Sequence, residues 1–273
     1  MKKTILLILA MAAFSSTRAQ VVVAPTILFM GDQDRFGTFI VMNRSNVPQE
    51  ISISFRFGFP DSDPAGNIFM QYNDSAMARA HSCQPWLKGF PQKFIINPGQ
   101  QQVVRLLASP PSDLTDGEYW TRLVTSSTPQ STVIDTVRTG ITANITFVLQ
   151  QVTTVVYKRG HVVTNVTLPD VRVAPDSASM SIFATVRREG NAPFFGKISV
   201  TVKDRVGNSI FNQDELIAVY NDSMLIRFPV PLSSLPEGTY TIDVTLSSER
   251  TDISEDNLLK VPSLEKKTTF SVP

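Results

Sequence analysis

Few residues in this chain could do chemistry. Across 273 residues there are two histidines, His81 and His161, and one cysteine, Cys83. A thiol needs a neighbouring base to become a nucleophile, and only His81 is close to Cys83 in sequence. Cys83 therefore reads as an incidental free thiol in the polar stretch HSCQPW. One cysteine and two histidines also leave no disulfide framework and no Cys/His zinc site. No G-x-S-x-G elbow, H-E-x-x-H helix or Walker loop is present. Asp61, Asp63 and Asn67 are spaced like the start of a calcium loop, but Pro64 interrupts it and no Glu stands at its twelfth position. Arg105 and Arg122 fall in strand-like runs. An arginine there can pack, face solvent or grip an anion through paired N–H donors. Acid–base residues do not cluster, so the sequence argues against an enzyme and calls for no cofactor, metal or ATP.

The elements that would position such residues follow a leader. Met1-Lys2-Lys3 is basic, Thr4 to Phe14 is apolar, and Thr17 and Ala19 offer small residues before Gln20. That is the pattern of a secretory signal peptide over 1–19. Its apolar core is too short to span a bilayer. Losing Lys2, Lys3 and Arg18 takes the basic count from 25 to 22 against 24 acids, leaving a net charge of −2. Such a chain has no basic field for nucleic acid. No later apolar segment is long enough for stable membrane insertion, so the mature chain is expected in the periplasm.

Strand-length apolar runs then alternate with turn signals. The runs are Val21–Met30, Phe36–Met42, Ile51–Phe59, Phe94–Ile96, Val103–Ala108, Gly117–Thr125 and Ile141–Tyr157. Residues 60–90 read as a long loop with one helical turn near Ser75–Arg79. After Lys158-Arg159-Gly160 the rhythm restarts, with a hairpin-like turn at Asp204–Asn208. The pattern predicts an all-β protein of two immunoglobulin-like sandwiches, 20–159 and 160–273, after the signal peptide at 1–19. A junction this short predicts a fairly fixed angle between them.

Several segments carry a family resemblance. Residues 90–106, FPQKFIINPGQQQVVRL, are similar to the P-x-x-F-x-L-x-P-G-x-x-Q-x-V-R segment of the periplasmic pilus-assembly chaperones, the PapD-like family. Asp116–Leu123 resembles that family's strand opening on an acidic residue. Ile145–Tyr157 with Lys158-Arg159-Gly160 resembles its last first-domain strand and the basic hinge. Arg188–Gly207 resembles a turn and D-x-x-G pattern of its second domain. The likeness is clear over 21–160 and loose over 161–273.

The resemblance implies a function. Such a chaperone caps an incomplete subunit sandwich by lending its own last first-domain strand, whose alternate apolar side chains fill the open groove. Here Ile145, Phe147 and Leu149 fall on the donor positions. The bare alternation is equally that of a strand packing into its own core. The family's interdomain ion pair falls on Glu118 and Lys158, with Arg159 as a substitute. The family's carboxylate anchor is an arginine on the first strand and a lysine on the last. Here those positions are Ile27 and Thr154, so the anchor departs from the pattern. The implied partner is a pilin-like or surface-protein subunit, with an outer-membrane usher and self-association through the donor strand as further candidates. The alternative is a structural or adhesive immunoglobulin-like module of the cell envelope.

Overall fold

The computed structural model describes residues 21–130, 147–175 and 179–272. The expected signal peptide and Ile145 lie outside these residues. The first half holds β1 (Val21–Ala24), β2 (Ile27–Gly31), β3 (Phe36–Asn43), β4 (Gln49–Arg56), β5 (Phe59–Ser62), β6 (Ile68–Gln71), helix α1 (Ser75–His81), β7 (Leu87–Phe90), β8 (Lys93–Ile96), β9 (Gln101–Ala108), β10 (Gly117–Pro129) and β11 (Leu149–Arg159). The second half holds β12 (Thr164–Pro175), β13 (Ser179–Gly190), β14 (Phe194–Lys203), β15 (Ser209–Val219), β16 (Ser223–Pro231), β17 (Gly238–Ser247) and β18 (Leu264–Val272). The all-β expectation holds.

Three sheets lie within 21–159, ordered β1-β3-β9-β7, β2-β11-β10-β4-β8 and the two-stranded β5-β6. Two more lie within 164–272, ordered β12-β13-β16 and β15-β14-β17-β18. No strand is shared between the halves among the described residues. Period-2 alternation builds each core. In the first half Phe39 and Val41 of β3 and Val104 and Leu106 of β9 meet Leu123 of β10 and Val155 and Tyr157 of β11. In the second half Ile182, Ala184 and Val186 of β13 meet Ile198, Val200 and Val202 of β14.

The structure revises the expected elements in two places. Val21–Met30 is not one strand. Pro25 has no N–H to give a ladder, and the chain changes sheets there, with β1 on β3 and β2 parallel to β11. The stretch 60–90 is not simply a loop. It contains α1, capped by the Asp74 side chain accepting from the Met77 N–H, and a hairpin of β5 and β6. The hairpin turn repeats the one at Asp204–Asn208. Asp63 Oδ1 accepts from the Ala65 and Asn67 N–H groups, as Asp204 Oδ1 accepts from Val206 and Asn208. Both turns read D-x-x-G-N, and glycine takes the positive φ at Gly66 (76°) and Gly207 (92°).

This hairpin leaves the first sandwich and lies on the second. Asn221 Nδ2 donates to Asp61 Oδ2 at 2.8 Å, and the Leu225 N–H donates to Ser62 Oγ at 2.8 Å. Between the halves lies a third apolar cluster: Phe57, Phe59, Trp120 and Val156 from the first, Phe195, Tyr220 and Ile253 from the second. Trp120 packs on Tyr220 with ring centroids 4.7 Å apart and on Phe57 at 5.7 Å.

Candidate functional site: the face of β10 and β11 turned to the second half

Alternate residues of β10 and β11 form cross-strand pairs on one face. Glu118 stands opposite Lys158, Trp120 opposite Val156, and Arg122 opposite Thr154. Period 2 puts all six on the side away from the first core. The Trp120 pair sits in the middle, within the aromatic cluster. The charged pairs lie at either end.

At one end, Lys158 Nζ is 3.8 Å from Glu118 Oε1. It also donates to the Asn257 carbonyl at 2.7 Å and lies 5.0 Å above the Phe29 ring. The Glu118 N–H donates to the Asn191 carbonyl at 3.0 Å. Glu118 is 1% exposed, and its Oε2 has no hydrogen-bond partner. Burial pushes the Glu118 carboxyl up to about 7, with the Lys158 charge opposing. Burial also lowers Lys158, which Glu118 only partly offsets. Arg159, offered above as a substitute partner for Glu118, does not meet it. As the next residue on the strand it projects to the opposite face, where its Nη1 lies 2.8 Å from Asp32 Oδ1. Asp32 also accepts from Tyr157 Oη at 2.9 Å and the Gly160 N–H at 3.2 Å.

At the other end the Arg122 guanidinium lies in a cleft between the halves. Its Nε donates to the Gly58 carbonyl at 2.9 Å, and its Nη1 donates to Thr154 Oγ1. Its Cζ is 5.2 Å from the Tyr220 ring centroid. Arg122 is 6% exposed, and its Nη2 has no hydrogen-bond partner. No carboxylate pairs with it among the described residues. Tyr220 Oη is likewise buried without a partner. The cleft encloses about 220 Å³ and is lined by Ile27 and Thr154, the positions the resemblance assigns to an anchor. The cation that lines this cleft, Arg122, belongs to β10. The sequence clue was a charged residue inside an otherwise buried strand. Arg105 is elsewhere, exposed on β9 beside Phe90 of β7.

β11 has a half-open edge. β10 pairs with it along Leu149–Arg159, but β2 joins its other side only from Thr154 onward. Among the described residues no strand covers Leu149–Thr153 on that side. Phe147 is 78% exposed and Leu149 43%. Further along the face of Leu149, Val155 and Tyr157 are fully buried in the first core. One alternating run therefore serves the core at one end and solvent at the other.

The remaining chemical candidates are structural. Cys83 is fully buried, and burial pushes its thiol far above the ordinary range. His81 stacks on Trp120 at 4.8 Å. Asp63 spends its carboxylate on its own turn, including the Asn67 side-chain amide at 2.9 Å. No helix among the described residues is long and apolar enough to cross a membrane.

No family model matches the chain, and no curated protein matches it in sequence. Solved structures align along most of its length. A chain of the complex of SafA pilin with the SafB chaperone from Salmonella enterica aligns at 13% identity and a TM-score of 0.48, covering 92% of this chain and 98% of that one. The YadV chaperone aligns at 9% identity and 0.47, covering 92% and 100%. A chain of the CsuC–CsuE chaperone–tip adhesion subunit complex of Acinetobacter baumannii aligns at 12% and 0.45, covering 90% and 98%.

Proposed function

We propose that this protein is a periplasmic chaperone for pilus or surface-protein subunits, non-enzymatic, with Phe147, Leu149 and Ile145 as its donor residues. The observation that carries this reading is the half-open edge of β11, flanked by exposed Phe147 and Leu149. An unpaired strand edge beside large apolar side chains is a template for an added strand. In this reading the halves 20–159 and 160–273 are its two domains, and Glu118 with Lys158 sets the joint between them.

Geometry supports one direction for the added strand. A strand in the free lane beside Leu149–Thr153 is collinear with β2 and stops where β2 begins, at Ile27 and Thr154. If it runs parallel to β11, its C-terminal end reaches the cleft holding Arg122. A cation without a carboxylate suits that end, because charge-assisted bonds to a carboxylate are among the strongest available. Arg122 thus takes the anchoring role that Ile27 and Thr154 cannot fill.

Phe147→Asp tests the reading. On an exposed donor residue it leaves the thermal midpoint of the free protein nearly unchanged and abolishes capture of the subunit. A large fall in midpoint with capture intact would overturn the donor assignment in favour of a structural or adhesive envelope module.

A further inference from the structure

The two four-stranded sheets of this molecule differ in what they show to solvent. In the second half, β14 turns Lys197, Ser199 and Thr201 away from the core and β17 turns Thr241, Asp243 and Thr245. Charges of both signs pair there, with Lys203 Nζ 2.6 Å from Asp243 Oδ2. That is the ordinary polar outer face of an antiparallel sheet. The β1-β3-β9-β7 sheet breaks the pattern. Its β3 turns Phe36, Thr38 and Ile40 outward, β9 turns Val103, Arg105 and Leu107, and β7 turns Lys88 and Phe90. The register joins them into one patch. Leu107 stands between Phe36 and Lys88, Arg105 between Thr38 and Phe90, and Val103 opposite Ile40. Such cross-strand neighbours are about 5 Å apart. Phe36 is 64% exposed and Phe90 77%, and Ile40, Val103 and Leu107 are exposed as well. The second half covers the outer face of the partner sheet, at Trp120 and Val156. The patch lies on the other side of the sandwich and stays open.

We propose that this face docks reversibly on an anionic phospholipid surface. The inference rests on the sheet alone and not on the strand-addition reading. A contiguous exposed apolar patch of this kind marks an interaction site, and charge names the occupant. Among the outward residues of β1, β3, β7 and β9 the charged ones are Lys88 and Arg105, and none is acidic. The turn into β3 adds one charge of each sign, Asp34 and Arg35. In a mature chain of net charge −2, a strand face bearing cations alone is a local reversal. Cations interleaved with phenylalanine and aliphatic side chains are what a lipid interface takes. The phosphates attract Lys88 and Arg105, and the apolar side chains enter the headgroup boundary. A second copy suits the face poorly, because a two-fold contact gathers Arg105 and Lys88 with their own images and brings no carboxylate. Docking here holds the protein by its first sandwich, on the side away from the second half.

Co-sedimentation of the mature chain with lipid vesicles tests this. Vesicles of phosphatidylglycerol mixed with phosphatidylcholine should carry the protein down, and vesicles of phosphatidylcholine alone should not. Lys88→Gln with Arg105→Gln should weaken binding about thirtyfold, at about fivefold for each cation near an anionic surface. Raised salt should weaken the unaltered protein in the same direction. Phe36→Ser with Phe90→Ser should weaken binding by about tenfold or more. The substituted positions are exposed, so the thermal midpoint should hold in both variants. Lys197→Gln with Lys267→Gln removes the same charge from the other four-stranded sheet and should leave binding unchanged. If the serine variant fails to fold, the two charge variants still decide the matter. Lipid docking is overturned if anionic vesicles leave the protein in solution, or if phosphatidylcholine alone binds it equally. It is also overturned if the Lys197 and Lys267 variant loses as much as the Lys88 and Arg105 variant. A dimer in analytical ultracentrifugation that Phe36→Ser with Phe90→Ser dissociates would give the face to a second copy and likewise overturn the proposal.

Discussion

Lys158 Nζ sits closer to the carbonyl oxygen of Asn257, at 2.7 Å, than to the carboxylate of Glu118, at 3.8 Å. The cation is thus tied to the second half as firmly as to its cross-strand neighbour. Glu118 is left with a buried, half-satisfied carboxyl. Its elevated pKa of about 7, caused by burial against the opposing Lys158 charge, gives a signed prediction. A carboxyl with a raised folded pKa holds its proton more tightly folded than unfolded. Its contribution is complete below the ordinary glutamate range, declines as pH rises towards 7, and is flat above. Glu118→Gln should remove that decline. Thermal midpoints from acidic to neutral pH, compared between the two proteins, measure it. Parallel curves would mean that Glu118 binds its proton equally well in the folded and unfolded chain.

Phe59→Ala should loosen the joint. Phe59 is fully buried between Trp120 and Tyr220, with ring centroids at 6.4 and 6.1 Å. Removing a buried phenylalanine costs about 3–5 kcal/mol. Because the loss falls between the halves, solution scattering should broaden and Trp120 emission should shift while β content stays constant. An unchanged scattering profile would show that the hairpin's polar contacts hold the angle without the ring.

Val155 and Leu149 share a face of β11 but not a fate. Val155→Asp buries an unpaired carboxylate and should unfold the first sandwich, at a cost of several kcal/mol. Leu149→Asp at a 43% exposed position should cost less than about 1 kcal/mol. Urea denaturation of both variants measures the contrast. Equal losses would place Leu149 in the core.

This division explains how far the sequence could be read. Alternation marks a strand's two faces, but it does not say where along a strand the neighbouring layer stops. The run through Leu149, Val155 and Tyr157 therefore supported both a core face and a donor face, and the structure buries Val155 and Tyr157 while leaving Leu149 exposed. The second-half strands were legible because alternation and turns agree there. The β5–β6 hairpin was hidden by Pro60 and Pro64, although its D-x-x-G-N turn is the one recognised at Asp204–Asn208. Arg122 was visible as a strand arginine, but its cleft depends on Tyr220, a contact across 98 residues that no local pattern encodes.

Fractionation of cells expressing the full chain should yield a periplasmic protein beginning at or near Gln20. N-terminal sequencing checks this. An uncleaved, membrane-embedded form would count against the proposed location and against any encounter with exported subunits.

The aromatic cluster belongs to neither sandwich, and that bears on synthesis. Phe57, Phe59 and Trp120 emerge well before Phe195 and Tyr220, the partners that cover them. During synthesis the leading half keeps an oily flank uncovered until about a hundred further residues, as far as Tyr220, have followed Trp120. A protein proposed to shelter others' unfinished surfaces therefore has an unfinished surface of its own, and it becomes self-sufficient only when its second half arrives.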